Sequence, residues 1–173
     1  EQLYFPEPGH SHSIKSLFDK LLKNQLLDQR EKQYFRYTIL LELCRLYHKN
    51  GWTQQFHLGA IRNNTERMLA KLGPDTGFDS IGDFSQAAAM SKFFNELDRD
   101  DRLARTIVYD LNPSDNEVFA TMVGNFNDGS VKGKMQFGSA WWFLDQKDGI
   151  EKQLNTLSNL GLLTCFIGML TDS

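Results

Sequence analysis

The spacing of apolar residues predicts two helices in the first part of the chain. The first apolar series recurs at intervals of three and four residues and comprises Ile14, Leu17, Phe18, Leu21 and Leu22. This period predicts an amphipathic helix, for which Ser11 or Ser13 can provide the N-cap. A second series at similar intervals predicts a helix over residues 29–49, which Asn50-Gly51 ends.

From residue 52 onward the pattern alternates between short apolar strands and helical periods. The predicted strands cover residues 52–60, 105–111, 134–143 and 163–171, with a helix over 85–97 and others after each of the next two strands. Ser114 with Glu117, and Asp148 with Glu151, have the spacing of capping boxes at two helix starts. This alternation is typical of an α/β fold with a parallel sheet covered by helices. Four such strands fit a doubly wound sheet or half of a (β/α)₈ barrel.

Composition describes an ordinary globular chain and excludes several classes of function. The 173 residues carry a net charge of −3, and 40% of them are hydrophobic. The 19 basic residues form no block, so neither a nucleic acid nor an anionic membrane is an expected partner. No apolar run reaches about 18 residues and no secretory signal is recognisable, so we expect a cytoplasmic protein. Cys44 and Cys165 are expected to be small buried hydrophobic residues rather than a disulfide.

Polar residues follow the predicted strands at their carboxyl ends, where parallel α/β folds place their sites. They are His57, Arg62-Asn63-Asn64, Asn112, Ser139, Trp141-Trp142 and Asp172. A histidine and an aspartate from different strands could share a divalent metal or move a proton. A structural interpretation also fits, with His57 as a hydrogen-bonded rim residue, Asp172 as a helix cap and the tryptophans as a packing pair. His10 and His12 lie in a turn-rich segment, where metal ligation is not expected.

The short sequence motifs around these strand ends resemble those of one enzyme family. The motifs are Gln55-Phe56-His57-Leu58-Gly59-Ala60-Ile61-Arg62-Asn63-Asn64, Leu111-Asn112-Pro113-Ser114-Asp115-Asn116-Glu117, Gly124-Asn125-Phe126, Ser139-Ala140-Trp141-Trp142-Phe143 and Thr171-Asp172-Ser173. They resemble the uronate (glucuronate) isomerases, aldose–ketose isomerases built on the barrel of the metal-dependent amidohydrolase superfamily. The resemblance covers most of the chain from about Ser13 onward.

The resemblance implies an α/β fold that is a partial (β/α)₈ TIM-type barrel, comprising about strands five to eight. Residues 1–50 would be a helical lead-in segment, and residues 51–173 the carboxyl-terminal half of the barrel, truncated after its last strand. Such a fragment is expected to be inactive alone. Its open strand edges and apolar inner face lead us to expect a homo-oligomer.

The resemblance also implies roles for the strand-end residues. Asp172 matches a catalytic, metal-binding aspartate and His57 a catalytic histidine, whereas Arg62, Trp141 and Trp142 match substrate-binding positions. The implied reaction converts D-glucuronate to D-fructuronate, and D-galacturonate to D-tagaturonate, by proton transfer or hydride shift. It would use a divalent metal, for which zinc is a candidate. The alternative is a non-catalytic half-barrel that serves association, and a hydrolase of the same superfamily matches the motifs less well.

Overall fold

The structure is a computed structural model that describes residues 3, 5 and 13–168. The helices are α1 (Ile14–Leu22), α2 (Gln29–Lys49), α3 (Glu66–Leu72), α4 (Ala87–Asp98), α5 (Asn116–Gly124) and α6 (Lys147–Leu160). The strands are β1 (Thr53–Leu58), β2 (Ala60–Ile61), β3 (Ser80–Ile81), β4 (Arg105–Asp110) and β5 (Met135–Phe137). Short 3₁₀ turns cover Pro113–Asp115, Trp142–Leu144 and Leu163–Cys165. The predicted α/β class is confirmed.

Strands β1, β4 and β5 form one parallel sheet with β4 in the centre. The register pairs Phe56 with Val108 and Val108 with Phe137, so these three side chains share one face. They pack with Phe94 of α4 and Phe119 of α5 in the hydrophobic core. The helices therefore cover this face, and the residues that alternate with the core set point to the opposite face.

The first two helices have the bounds that the apolar period predicts. Ser13 is the N-cap of α1, and its side chain accepts a hydrogen bond of 3.2 Å from the backbone N–H of Ser16. Asp28 and Glu31 form a capping box at the start of α2, and Lys20 of α1 pairs with Glu31. Gly51 follows α2 at φ +67°, in the left-handed region that ends many helices. The alternative cap, Ser11, lies outside the described residues.

The predicted capping box at the start of α5 is wrong. Asn112, at the end of β4, caps the 3₁₀ turn instead, because its side-chain oxygen accepts a hydrogen bond of 3.1 Å from the N–H of Ser114. The helix proper begins only at Asn116. The carboxylate of Glu117 is therefore not used as a cap and accepts a hydrogen bond of 3.3 Å from the hydroxyl of Thr156 in α6.

The predicted box of Asp148 with Glu151 is wrong for a related reason. α6 begins earlier, and Gln146 is its N-cap, accepting a hydrogen bond of 3.1 Å from the N–H of Gly149. A Cβ on Gly149 would lie 2.3 Å from the carbonyl oxygen of Leu144. The glycine therefore lets the preceding turn pack directly on the first turn of α6.

Two predicted strands differ from the structure. Instead of residues 134–143, only Met135–Phe137 form a strand, because the chain then leaves the sheet and Trp142–Leu144 form a 3₁₀ turn. Residues 163–168, predicted as part of a fourth strand, contain the 3₁₀ turn Leu163–Cys165 and no strand. The rest of that predicted strand lies outside the described residues, which thus provide three parallel strands rather than four.

A small antiparallel pair, which the sequence did not predict, extends from the carboxyl end of β1. Strand β2 pairs with β3, and α3 lies in the loop between them. We call residues 60–81 the rim hairpin. None of the helices that the structure describes is long and apolar enough to cross a membrane.

Candidate active site

His57 and Tyr109 lie side by side near the carboxyl ends of β1 and β4. The parallel register pairs these two residues, so both side chains project from the face opposite the core. Their rings stack with centroids 4.4 Å apart and planes within 4° of parallel. Tyr109 is buried and His57 is exposed. The buried phenol ring therefore fixes the plane of an imidazole that solvent can reach.

The segment after β5 adds a third ring to this stack. The N–H of Gly138 donates a hydrogen bond of 2.8 Å to the carbonyl of Val108, which brings its backbone beneath Tyr109. A Cβ on Gly138 would lie 2.4 Å from the Tyr109 ring, so only glycine fits there. Trp141 then meets His57 edge-on, with ring centroids 4.8 Å apart. We call His57, Tyr109 and Trp141 the aromatic wall.

The aromatic wall contains two buried polar atoms to which no described residue bonds. The hydroxyl of Tyr109 and Nε1 of Trp141 are buried and have no hydrogen-bond partner among the described residues. Burial raises the pKa of the Tyr109 phenol, which therefore stays protonated and able to donate. A buried polar group without a partner costs about 1–3 kcal/mol. The wall thus contains two buried donors whose hydrogen-bonding capacity no described residue uses.

Arg62 reaches the same rim from the rim hairpin. Its Nη1 lies 3.6 Å from Oδ2 of Asp79 and 3.5 Å from Oδ1 of Asp75. The Asp79 side chain is 5% exposed and also accepts a hydrogen bond of 2.8 Å from the N–H of Asn63, whereas that of Asp75 is 77% exposed. The ion pair of Arg62 with the exposed Asp75 contributes little to stability. Because a guanidinium has five N–H donors, Arg62 can keep its contact with Asp79 and still bind an anion.

Trp142 connects Arg62 to the aromatic wall. The Arg62 guanidinium carbon lies 4.6 Å from the centroid of the Trp142 ring, a cation–π arrangement. The ring also stacks on Phe143 at 4.8 Å and lies 5.5 Å from that of Trp141. Trp142 has φ +52°, a conformation that is unfavourable for a bulky side chain. The contacts of its ring stabilise this turn.

The described residues do not form a metal site by themselves. They contain no group of three or more His, Cys, Asp or Glu side chains placed to hold an ion. Asp172, the predicted ligand, lies outside the described residues, as do His10 and His12. No chemical step is therefore assigned through a metal held by the described residues alone.

The structure brings together four of the five predicted site residues. His57, Trp141, Trp142 and Arg62 form a continuous row of ring and guanidinium contacts. Neither tryptophan lies in the strand predicted over residues 134–143, and their rings are in contact. Their positions nevertheless differ, since one ring contacts His57 and the other lies under Arg62.

Sequence reasoning missed two residues of this rim. Tyr109 gave a partial signal, because it lies near the carboxyl end of the strand predicted over residues 105–111. Its pairing with His57 is seen only in the register of the folded sheet. Asp79 had no signal, since it lies in a Gly- and Pro-rich stretch that gives no indication of a hairpin.

Other features of the described chain lack this chemistry. A cavity of about 470 Å³ lies between α5, α6 and β5, with a mostly apolar lining that includes Phe137, Leu157 and Phe166 and has no histidine or carboxylate. We therefore place the candidate site at the rim rather than in this cavity. Both cysteines are free, as predicted; burial raises the pKa of Cys44 to about 12, while Cys165 is only partly buried. Burial makes Cys44 a poor nucleophile.

Comparison with known proteins gives one consistent result. The family model described as glucuronate isomerase matches residues 1–173. A uronate isomerase from Flavobacterium johnsoniae is 59% identical over 173 residues, which are 100% of this chain and 37% of that protein. A uronate isomerase from Bacteroides fragilis is 56% identical over 170 residues, or 98% of this chain and 36% of the relative. The chain thus spans little more than a third of the length of these relatives.

Solved structures agree. The crystal structure of uronate isomerase from Thermotoga maritima superposes with a TM-score of 0.84 at 25% identity, covering 99% of this chain and 36% of that one. That of glucuronate isomerase from Caulobacter crescentus gives a TM-score of 0.80 at 21% identity, over 99% and 34% of the two chains, which supports the fold alone. With the matched family model and relatives above 50% identity, the chain belongs to the glucuronate isomerase family.

Proposed function

We propose that the protein containing this chain isomerises uronates, converting D-glucuronate to D-fructuronate and D-galacturonate to D-tagaturonate. The observation that carries this proposal is the row of contacts from the aromatic wall to Arg62, because it sets a cation beside buried donors that have no partner in the described part of the chain. A uronate has a carboxylate at one end and hydroxyl groups along its length, which match these two features. The chain spans about a third of its relatives, so the activity belongs to the longer polypeptide.

We infer the corresponding architecture. Residues 1–50 form a helical lead-in, and residues 51–173 form the carboxyl-terminal half of a (β/α)₈ barrel. Two observations support this: β1, β4 and β5 are parallel and lie in sequence order, and the candidate site residues gather at their carboxyl ends. Barrel enzymes place their active sites at this edge.

Substrate binding is assigned to Arg62, Trp141 and Trp142. Arg62 would bind the uronate carboxylate through forked, charge-assisted hydrogen bonds, in an orientation fixed by Asp79 and by the Trp142 ring. Trp141 would form an apolar wall against the sugar, and its Nε1 would donate to a hydroxyl. The tyrosine hydroxyl of the aromatic wall would provide a second donor to the sugar.

Proton transfer is assigned to Asp172 and His57. Moving the carbonyl of the open-chain sugar from C1 to C2 requires a proton to leave C2 and a proton to be added at C1 through an enediol, while O2 loses its hydroxyl proton and O1 gains one. We assign Asp172 as the group that handles this proton and His57 as a catalytic partner near the reacting carbons. The Tyr109 ring supports the latter role, because it holds the imidazole at the exposed rim. A hydride shift between the two carbons is the alternative chemistry.

Metal binding is assigned to Asp172, with further ligands from sequence outside the described residues. A divalent ion, for which zinc is a candidate, would polarise the substrate oxygens and stabilise the charge that develops on them. We further propose a cytoplasmic homo-oligomer whose ligand is a small uronate rather than a nucleic acid or a membrane. The balanced charge and the exposed apolar side chains support these assignments.

The experiment that tests this function is an isomerase assay on the full-length protein. D-glucuronate and D-galacturonate are incubated with added divalent metal, and ketose formation is measured, with D-glucose as the control that lacks the carboxylate. We expect turnover of the uronates and none of glucose. Arg62→Ala should raise KM by about 10–100-fold, because charge-assisted hydrogen bonds contribute roughly 1.5–3 kcal/mol. Absence of turnover at every metal tested would favour a non-catalytic association module.

A further inference from the structure

The rim hairpin, which carries Arg62, is held together as one unit. The side-chain amide of Asn64 donates hydrogen bonds of 3.2 Å to the carbonyl of Phe78 and 3.3 Å to the hydroxyl of Ser80. The N–H of Asn64 donates a further bond of 2.7 Å to Phe78, and Asp79 bridges Asn63 to Arg62. These bonds cross the hairpin close to Arg62. These contacts tie the Arg62 guanidinium to the hairpin.

Glycines flank the rim hairpin at both ends, Gly59 on the side of β1 and Gly82 on the side of α4. Gly59 leaves β1 at φ +103°, and Gly82 closes the base with a hydrogen bond of 2.7 Å from its N–H to the carbonyl of Gly59. A Cβ on Gly59 would lie 3.1 Å from Cβ of Leu111, and one on Gly82 would lie 2.4 Å from the ring of Phe84. The base of the hairpin is thus closely packed, and glycine is the residue that permits this path.

Asn112 braces the base of the rim hairpin from the neighbouring strand end. Its side-chain amide donates a hydrogen bond of 3.1 Å to the carbonyl of Gly82, while its side-chain oxygen accepts from Ser114. Its backbone N–H donates a bond of 2.9 Å to the buried carboxyl of Asp110. Asn112 is thus anchored on its own strand end, and only its amide N–H₂ reaches across to the hairpin.

We propose that Asn112 is a positioning residue that sets where Arg62 meets the substrate carboxylate. The proposal rests on the function proposed above. Asn112 does not touch Arg62; it acts through the carbonyl of Gly82 and the bonded hairpin. Without the amide, the hairpin can tilt at its glycine base, and a displaced guanidinium forms a poorer fork with the carboxylate.

Two substitutions of Asn112 in the full-length protein remove the bracing donor while keeping a capping oxygen. Asn112→Ser introduces no charge, and Asn112→Asp preserves the shape. Because Arg62 would bind the carboxylate in ground state and transition state alike, each variant should raise KM for D-glucuronate by about 3–10-fold and leave kcat within about twofold. Affinity for D-glucarate, a sugar diacid without a reactive carbonyl, should fall by the same factor in calorimetry.

A double-mutant cycle tests whether Asn112 acts through Arg62. In an Arg62→Ala background, Asn112→Ser should change KM by less than about twofold, because the group it positions is gone. An equal increase in both backgrounds would overturn the proposal, as would a fall in kcat at unchanged KM. Asn112→Asp provides the same cycle if the serine variant does not fold.

The control is Asn127→Ser, which removes a comparable brace at the other end of the sheet. The amide of Asn127 donates a hydrogen bond of 3.2 Å to Val123, and its oxygen accepts one of 3.0 Å from the N–H of Met135. We expect its KM and kcat to match the unmodified protein. If the unmodified protein does not isomerise uronates, the proposed function fails. If the unmodified protein isomerises uronates and Arg62→Ala raises KM, but the effects of the Asn112 and Arg62 substitutions on KM are additive, the proposed function stands and only the positioning role of Asn112 is refuted.

Discussion

A buried carboxyl at the end of β4 shows how one residue can make stability depend on pH. Asp110 is 2% exposed; its Oδ1 accepts a hydrogen bond from Asn112, and its Oδ2 has no partner among the described residues. The pKa of this carboxyl is raised from 3.8 to about 7, mainly by burial and in smaller part by the charge of Asp115, against the lowering effect of the backbone hydrogen bond from Asn112. The folded protein therefore holds a proton that the unfolded chain releases at lower pH.

Because Asp110 holds this proton, we expect the folded protein to lose stability as the pH rises. Because the folded pKa of Asp110 lies above the unfolded one, its contribution is fully present below about pH 4 and is lost as pH rises through about 7. Asp110→Asn keeps an acceptor for the Asn112 N–H and cannot ionise. Its gain in unfolding free energy over the unmodified protein should grow from near zero at pH 4 to roughly 2–4 kcal/mol at pH 8.

Urea unfolding of the full-length protein at several pH values measures this difference. Asp19→Asn, at an exposed position on α1, is the matched control and should show no such growth. A constant difference for Asp110→Asn between pH 4 and pH 8 would show that the carboxyl is ionised in the folded protein throughout that range.

At the scale of elements, the segment that follows β5 has the strongest effect on the site. Its backbone can pass beneath Tyr109 only because residue 138 is glycine. Gly138→Ala should force the phenol ring away and, with it, the stacked His57. We expect a loss of about 1–3 kcal/mol in unfolding free energy from overpacking, together with a lower kcat for uronate isomerisation. Thermal unfolding and the isomerase assay on the full-length protein measure the two effects.

Gly124→Ala provides the control for this substitution. Gly124 ends α5, and a Cβ there would meet no atom within 4 Å. Alanine is favoured over glycine in helices by up to about 1 kcal/mol, so this variant should be as stable as the unmodified protein or more so, with unchanged turnover. Full activity in Gly138→Ala would mean that the Tyr109–His57 stack does not orient the imidazole.

Sequence periodicity predicted those elements whose hydrogen bonds are local or whose alternation is regular. The bounds of α2 match the expected residues 29–49, because each backbone hydrogen bond of a helix joins residues only four apart in the chain and Asp28 provides a clear cap. The segments after Phe137 and Leu162 are as apolar as buried strands. A strand, however, also needs a neighbouring strand whose backbone groups pair with its own. The close approach at Gly138 turns one of them out of the sheet, and the other folds on itself through a 3₁₀ turn.

The residues of the candidate site likewise divide into those that the sequence predicts and those that it does not. His57 could be found because it is a polar residue near the carboxyl end of a predicted strand, and Arg62 because it follows that strand at once. The partners that give these residues their geometry lie far away in sequence, Tyr109 on the next strand of the sheet and Asp79 across the rim hairpin. Such pairings depend on register and loop path, which composition and periodicity do not encode.

At the scale of the whole molecule, apolar side chains on the surface predict association of the 173-residue chain. Leu26 is 92% exposed, Leu22 is 68% exposed and Trp52 is 60% exposed. Apolar side chains this exposed favour association where neighbouring ones form a continuous patch, as Leu22 and Leu26 can at the end of α1. The matched relatives are almost three times as long, so additional sequence is available to cover such surfaces in the longer protein.

We therefore expect the 173-residue chain, expressed alone, to form dimers or larger species in light scattering at tens of micromolar. The chain alone should also have no isomerase activity. Burying apolar area releases about 25 cal/mol per Å², so a few exposed leucines and one tryptophan per copy suffice for weak association. Replacing Leu22 and Leu26 together by Gln should shift the distribution toward the monomer, whereas Lys15→Gln, at an exposed polar position on α1, should not. A monodisperse monomer would contradict this expectation, and it would mean that these side chains are tolerated in water without a partner.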